Sequence, residues 1–243
     1  MIDKENFERQ ARSPFEDERE KRLAWLKENA EKFAIPGPEI APLKIVITAN
    51  GNGERTKDLS PKPKHLLYYG GQRIIDHIIE AMQPFGKVYV FGRHPDHLPP
   101  GVWMECGETE NRKEQLELIR DWENVSIVDC DVIPVWPDRT PEGRTPVFLD
   151  ELTSDAIWCF ESDCQKYGGL SRDENGQLLS AKERGEGQKI RASGLYFLKH
   201  VGTIIDRMTD PNSIASGMVG AWMVFEDTFI RVGDAEDYLN ALR

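Results

Sequence analysis

The chain has 243 residues with 39% apolar content, enough to bury the core of one α/β domain with an appendage. Its formal net charge of -11 argues against nonspecific nucleic-acid binding, because proteins that neutralise many phosphates normally have a basic surface. No run approaches the roughly 18 apolar residues of a membrane-spanning helix, and residues 1–5 have no signal-peptide character. We therefore expect a cytoplasmic protein with no nucleic-acid or membrane partner.

The four cysteines lack the spacing of a metal site. Cys106, Cys130, Cys159 and Cys164 contain no C-x-x-C pair, and the histidines lie mostly away from them. We expect reduced thiols in the core.

Residues 1–42 are predicted to form a helical extension to the main domain, which spans residues 43–243. Ser13 and Glu16 have the spacing of a capping box, and Pro14 suits the first helical position. Apolar side chains then share one helical face, at Leu23, Leu26, Ala30 and Phe33. We expect this helix to pack on the domain or on a sister subunit of a homo-oligomer, rather than to regulate or target the protein.

The first strand is predicted at residues 45–48, an apolar run that stops at Asn50, Gly51, Asn52 and Gly53. Two glycines spaced this way let the backbone turn tightly and bring its N–H groups close to a bulky anion. Cationic side chains follow, at Arg55, Lys57, Lys62 and Lys64. Together these features indicate a polyphosphate site.

Two common phosphate-binding motifs are excluded by the residues after this turn. No Gly-Lys pair precedes Ser or Thr, as the G-x-x-x-x-G-K-[ST] loop requires. A dinucleotide fingerprint needs a helix after its third small residue, but Thr56 is followed by Lys57, Asp58 and Pro61. The loop is therefore predicted to wrap around its ligand.

The following elements predict a mainly parallel sheet covered by helices. Apolar residues repeat at helical spacing over residues 74–82, and a second strand follows at 87–92. Such a strand, helix and strand form a crossover unit, with the ligand at the carboxyl ends of the strands. Loops are then predicted at 92–107 and 134–150, helices at 108–122 and 234–242, and strands at 125–128, 156–160, 194–198 and 229–232.

Several short motifs follow one another between residues 51 and 238. They are G-N-G-E-R at 51–55, P-K-H-L-L at 63–67, G-G-Q-R-I-I-D-H at 70–77, V-D-C-D at 128–131, S-G-L-Y at 193–196 and G-D-A-E-D-Y at 233–238. In this order they resemble the motifs of sugar-phosphate nucleotidyltransferases, and the D-x-D strand is most similar to the short choline-phosphate cytidylyltransferase branch. The resemblance implies a three-layer αβα sandwich around a mixed, mainly parallel sheet of the GT-A type.

The resemblance also implies a reaction and site residues. The enzyme would use Mg²⁺ to transfer NMP from an NTP to a sugar 1-phosphate or a phosphocholine-like acceptor, with release of pyrophosphate. Arg55 would neutralise the pyrophosphate, Lys64 would reach the α-phosphate or the incoming phosphate, and Asp131 would hold the metal. The implied nucleotide-binding residues are Asn50, Gly51, Asn52, Gly53, Glu54 and Asn111, and the implied acceptor-binding residues are Glu183 and Gly194.

Three residues depart from the family pattern. Glu54 replaces Ser or Thr beside the triphosphate, and Cys130 replaces a glycine before the metal aspartate. Arg231 occupies the place of the second metal aspartate. Either Asp234 or Asp227 would substitute as a ligand, or Arg231 would replace the charge of a metal, or the chain would bind nucleotide without turning it over.

Two other functions stay open at this point. A GT-A glycosyltransferase would bind an NDP-sugar through the D-x-D formed by Asp129 and Asp131. A non-catalytic relative would keep the fold and only bind nucleotide. The products distinguish them, since a nucleotidyltransferase releases pyrophosphate, a glycosyltransferase releases NDP, and a non-catalytic relative releases neither.

Overall fold

The computed structural model describes most of the main domain. The described residues are 43–50, 60, 62–92, 103–105, 109–135, 152–163, 168–182, 188–225, 229–232 and 241. The predicted helices at 1–42 and 234–242 lie outside these ranges, apart from residue 241. Within the described residues no helix is both long enough and apolar enough to span a bilayer.

The described residues form thirteen strands and three α-helices. The strands are β1 (Leu43–Ala49), β2 (Tyr68–Tyr69), β3 (Gln72–Arg73), β4 (Gly86–Gly92), β5 (Trp103–Glu105), β6 (Glu123–Asp129), β7 (Val132–Pro134), β8 (Ala156–Glu161), β9 (Gly169–Arg172), β10 (Leu178–Lys182), β11 (Ile190–His200), β12 (Trp222–Phe225) and β13 (Phe229–Arg231). The helices are α1 (Ile74–Met82), α2 (Arg112–Glu117) and α3 (Val201–Arg207). Three short 3-10 turns lie at Lys64–Leu66, Gln83–Phe85 and Ile214–Gly217.

One nine-stranded mixed sheet organises the domain. Its main path has the order β10-β9-β11-β6-β1-β4-β5, and β8 and β12 branch from β11. The strands β6, β1, β4 and β5 run parallel, whereas β11 pairs with β6, β8 and β9 in the antiparallel sense. The predicted mixed α/β sheet is confirmed, with its parallel strands in the half that contains β1 and β6.

The two faces of the sheet bury two separate cores. Along β1, Ile45 and Ile47 pack into the core that contains α1, whereas Val46 packs into the core that contains α3. This alternation follows from the pleat of a strand, which directs successive side chains to opposite faces. Helices on both faces make the predicted three layers, and each fully buried Ile contributes about 1.5–3 kcal/mol through the area it removes from water.

Helix α1 and the crossover around it match the prediction. The helix covers Ile74–Met82 and connects the parallel strands β1 and β4. Its first turn carries an ion pair in which Arg73 Nε lies 2.7 Å from Asp76 Oδ2. The helix ends where the 3-10 turn containing Pro84 begins, since proline cannot continue the helical hydrogen-bond ladder.

Two predictions for residues 92–122 are wrong in part. The structure has a strand, β5, inside the predicted loop at 92–107, and β5 extends the parallel edge of the sheet beside β4. The helix predicted at 108–122 is only six residues long, Arg112–Glu117. It begins where Asn111 caps it, and a chain of turns replaces its predicted last part.

Two cysteines confirm the predicted core thiols. Cys130 and Cys159 are buried and free, and burial raises the pKa of these thiols to about 11 and about 12. Cys106 and Cys164 lie outside the described residues.

Candidate active site

The candidate site lies at the carboxyl ends of β1 and β6. Strand β6 ends at Asp129, and a tight turn then carries Cys130 and Asp131 into β7. Thr48 lies opposite Asp129 on the neighbouring strand β1. Because the carboxyl ends of parallel strands meet at one edge of a sheet, these polar residues are brought together there.

Asp131 forms an ion pair with Lys64. The contact joins Lys64 Nζ to Asp131 Oδ2, and the two side chains are only 13% and 15% exposed. Lys64 begins the 3-10 turn that precedes β2, and the buried residues His65 and Leu66 anchor this turn. The sequence predicted both residues as catalytic, and the structure places them in direct contact.

The electrostatics around Asp131 favour its ionised form. Burial acts to raise the pKa of this carboxyl group, but Lys64, Arg231 and Arg112 together lower it to about 2. Asp131 is therefore a carboxylate at neutral pH.

Asp129 is held by a second set of contacts. Arg112 Nη2 lies 2.5 Å from Asp129 Oδ1, and Thr48 Oγ1 donates to the same oxygen at 3.1 Å. Burial would lower the pKa of Arg112, but the charge of Asp129 raises it above its ordinary value. Asp129, at the end of β6, thus contacts both β1, through Thr48, and the start of α2, through Arg112.

Sequence reasoning missed Arg112, although a signal for it exists. The residue occupies the first turn of α2, where a cation is unfavourable next to the positive end of the helix dipole. A cation at this position indicates a nearby carboxylate, and Asp129 supplies it from 17 positions further along the chain.

Gly194, a predicted acceptor-binding residue, packs directly against Asp129. Its φ is +97°, and a Cβ added there would lie 2.9 Å from Val132 Cγ2 and 3.0 Å from Asp129 Oδ2. Glycine is required at this position of β11 by both its backbone conformation and the space available. The predicted contact of Gly194 with an acceptor stays a prediction.

Arg231 is held close to Asp131 by its strand and its side chain. It lies opposite Val132 in the antiparallel pair of β13 and β7, and the next N–H, that of Val232, donates to the Asp131 carbonyl at 2.9 Å. Its Nη1 donates to the carbonyl of Ala192 at 2.9 Å, and its Cζ lies 4.9 Å from the centre of the Phe160 ring. The guanidinium is therefore positioned near the carboxylate, where it contributes to the low pKa of Asp131.

Asn50 connects the end of β1 to the segment before α2. Its Nδ2 donates to Thr109 Oγ1 at 2.9 Å and to the Thr109 carbonyl at 3.3 Å, which fixes the orientation of the amide. Its Oδ1 is buried and has no hydrogen-bond partner among the described residues. An acceptor in this state is suited to a donor on a ligand, because a buried polar atom without a partner is destabilising.

Asn111 has a structural role as the N-cap of α2. Its Oδ1 accepts from the Glu114 N–H at 3.0 Å, and its Nδ2 donates to Glu114 Oε1 at 2.7 Å. Glu114 in turn accepts from the Glu110 N–H at 2.8 Å. The predicted contact of Asn111 with a nucleotide stays a prediction.

The remaining predicted site residues lie outside the described ranges. These are Gly51, Asn52, Gly53, Glu54 and Arg55 of the glycine loop, Glu183, and the predicted metal ligand Asp234 with its alternative Asp227.

The described residues fit Mg²⁺ in one way. Among them no group of three or more His, Cys, Asp or Glu side chains is placed to hold a metal ion. The Asp131 carboxylate could bind a metal ion if Lys64, which now contacts it, paired with another anion instead. This arrangement suits a Mg²⁺ ion that arrives on substrate phosphates and takes one protein carboxylate, a common mode of binding for this cation.

This chain matches known proteins by its fold and not by its sequence. No protein-family model and no curated protein sequence matches this chain. Three solved structures illustrate what the fold is similar to. CTP:phosphocholine cytidylyltransferase from Streptococcus pneumoniae is 16% identical, with a TM-score of 0.64 over 82% of this chain and 97% of that one. UDP-glucose pyrophosphorylase complexed with UDP-glucose is 14% identical, with a TM-score of 0.64 over 82% and 97%. The inositol-1-phosphate CTP transferase from T. maritima is 10% identical, with a TM-score of 0.59 over 83% and 95%.

The chain has the nucleotidyltransferase fold. The resemblance read from the sequence motifs is thereby confirmed at the level of the fold. At identities of 10–16% the likeness shows the fold, and a fold alone does not determine activity or substrate.

Proposed function

We propose that the chain is a nucleotidyltransferase that transfers NMP from an NTP to a phosphorylated small molecule, a sugar 1-phosphate or a phosphocholine-like compound. The observation that carries the proposal is the contact of Lys64 with Asp131 at the carboxyl end of the parallel strands, with Arg112 and Arg231 nearby. Cations on a rigid sheet edge are what a reaction between two phosphate groups requires.

The reaction asks the protein mainly to position and neutralise phosphates. A phosphate oxygen of the acceptor forms a bond to the α-phosphorus, and the bond from that phosphorus to the oxygen bridging to the β-phosphate breaks. Pyrophosphate leaves with the negative charge that develops. Side-chain cations lower the repulsion between the two anions and stabilise this charge, and a fixed site avoids most of the entropy loss of bringing them together.

Lys64 has a specific task in this proposal. In the described structure its ammonium group contacts Asp131, and both side chains remain partly accessible. When polyphosphate binds, Lys64 would exchange the carboxylate for a phosphate oxygen, and Asp131 would become free to bind Mg²⁺. The metal would supply charge neutralisation between the reacting phosphates.

The contacts of Asp129 weigh against the glycosyltransferase alternative. A D-x-D metal motif uses its aspartates to hold the metal of an NDP-sugar. Here Arg112 and Thr48 occupy the Oδ1 atom of Asp129, and Gly194 packs against its other oxygen. These contacts support a structural role for Asp129, so that Asp131 is the one metal ligand we propose among the described residues of the site.

Product analysis tests this function directly. Purified protein would be incubated with each NTP, Mg²⁺ and either glucose 1-phosphate or phosphocholine, and the products followed by phosphorus NMR. The proposal expects pyrophosphate and an NDP-linked product. Release of NDP from an added NDP-sugar would instead establish a glycosyltransferase, and the absence of both products would establish a non-catalytic relative.

A matched pair of lysine variants connects the activity to this site. Lys64→Met should lower the rate of pyrophosphate release about 100-fold or more, because it removes a charge that stabilises the transition state. Lys62→Met removes an exposed lysine two residues away and should change the rate by less than about twofold. Equal rates of pyrophosphate release for the two variants would show that Lys64 does not take part in the reaction.

A further inference from the structure

A side-chain amide lies at the carboxyl end of β1, beside the charged residues at the end of β6. Asn50 directly follows Ala49, which is paired with Gly92 at the end of the parallel strand β4. The contact of Lys64 with Asp131 lies on the other side of β1, after the end of β6. Neighbouring strands are about 4.8 Å apart, so the amide and the ion pair are neighbours along one edge of the sheet.

The orientation of the Asn50 amide is fixed by Thr109. Its Nδ2 donates to Thr109 Oγ1 at 2.9 Å and to the Thr109 carbonyl at 3.3 Å. A carbonyl oxygen only accepts hydrogen bonds, so the nitrogen of the amide and not its oxygen must face Thr109. The buried Oδ1 is therefore directed away from Thr109, and it has no hydrogen-bond partner among the described residues. The group that this amide can offer to a ligand is a hydrogen-bond acceptor.

This acceptor is neutral, unlike the groups at the end of β6. In nucleic-acid complexes, cations bind the phosphates of any nucleotide, whereas neutral hydrogen-bonding groups distinguish the edges of the bases. In the proposed function the phosphates lie beside Lys64, so the uncharged nucleoside part would extend along the edge towards Asn50. The two strand ends there carry the small residues Ala49 and Gly92, so neither strand end places a large side chain in its way.

We propose that Asn50 Oδ1 accepts a hydrogen bond from the exocyclic amino group of the nucleotide base, so that the site prefers CTP or ATP over UTP, dTTP and GTP. The inference rests on the proposed function, because it selects the nucleotide for that site. Cytosine and adenine carry an amino donor at this position of the ring, whereas uracil, thymine and guanine carry a carbonyl oxygen. An amino group would pair with Oδ1, but a carbonyl oxygen would be repelled by it and would leave it unpaired.

Calorimetric titration of NTPs with Mg²⁺, without an acceptor substrate, tests this inference without requiring turnover. On the full chain, CTP would be compared with UTP and ATP with GTP, so that ring size is constant within each pair. In whichever pair binds, the amino base should bind about 10-fold or more tightly than its keto counterpart. This is the effect expected when a buried acceptor gains or loses its partner.

Three variants make the result specific. Asn50→Leu keeps the approximate size of the side chain but removes the acceptor, and should bring the ratio of the two affinities close to one. Asn50→Asp keeps an acceptor, so its added charge should weaken both NTPs but preserve the ratio. Asn175→Leu is the matched control, since Asn175 is an exposed amide in the turn between β9 and β10, and it should leave the ratio within about twofold of wild type. Thermal unfolding shows which variants fold.

The outcomes separate this inference from the proposed function. Equal wild-type affinity for amino and keto bases would overturn the inference, as would a preference that survives in Asn50→Leu. A ribose hydroxyl is the other neutral donor, and weaker binding of 2′-deoxy-CTP than of CTP in wild type but not in Asn50→Leu would assign Oδ1 to the ribose instead. Pyrophosphate release by a protein without a base preference would refute the inference and keep the function. An Asn50-dependent preference without pyrophosphate release would do the reverse.

Discussion

Asp129 and Asp131 lie two residues apart at the end of the same strand, but their surroundings differ. Asp129 is held by Arg112, by a neutral hydroxyl and by close packing against Gly194. Asp131 is held by Lys64, with Arg231 close by, and these cations come from short elements at the rim of the sheet. Asp129 therefore joins elements of the framework, whereas Asp131 contacts the cations that we propose bind the phosphates of the substrates.

The packing around Asp129 gives the largest expected effect on stability. Gly194→Ala would put a Cβ within 2.9 Å of Val132 and 3.0 Å of Asp129, at a φ of +97°. We expect a loss of about 2–4 kcal/mol in the free energy of unfolding, from backbone strain and the clash together. Chemical denaturation measures this loss.

Gly176→Ala is the control for backbone strain alone. Gly176 has a φ of +82°, but a Cβ added there would meet nothing within 4 Å. The Gly176→Ala variant should lose about 1–2 kcal/mol of unfolding free energy. If both variants lose the same amount, the packing of Gly194 against Asp129 contributes nothing, and the contrast between the two aspartates is weakened.

The ion pair of Asp131 gives a smaller, pH-dependent effect. The pKa of this carboxyl group is lowered from 3.8 to about 2 in the folded state. A lowered folded-state pKa means that the stabilisation is fully present above about pH 4 and is lost as the pH falls from 4 towards 2. Asp131→Asn should therefore be less stable than wild type at pH 7, by on the order of 1–2 kcal/mol.

The difference in unfolding free energy between wild type and Asp131→Asn should shrink as the pH falls from 4 to 2. Denaturant titrations at several pH values measure it, and using the difference cancels the titration of the other acidic residues. A difference that stays constant over this range would show that Asp131 is not stabilised by the cations around it.

The parts of the fold that were predictable have strong local patterns. Helix α1 was predicted over its full length because its isoleucines recur at helical spacing, and β1 because its residues are apolar and β-branched. Strand β5 was missed because it is three residues long and lies in a segment rich in proline and glycine. The length of α2 was overestimated because apolar spacing continues past the point where the backbone leaves the helix.

For the site, the sequence indicated residue types but not partners. Lys64 and Asp131 were both predicted as site residues, yet nothing local shows that residues 67 positions apart share an ion pair. The role of Gly194 could not be predicted either, since the atoms that exclude a Cβ belong to β6 and β7. Such pairings depend on sheet register, which is set by the whole fold.

The most direct test of the central claim, that this cluster is a site for a nucleoside triphosphate, is calorimetric binding at saturating Mg²⁺. CTP, UTP, dTTP, ATP, GTP and, for comparison, UDP-glucose would be titrated into wild type and Asp131→Ala. We expect one NTP to bind more tightly than UDP-glucose and to lose affinity in Asp131→Ala. Binding of UDP-glucose alone, or of no NTP at all, would contradict the claim.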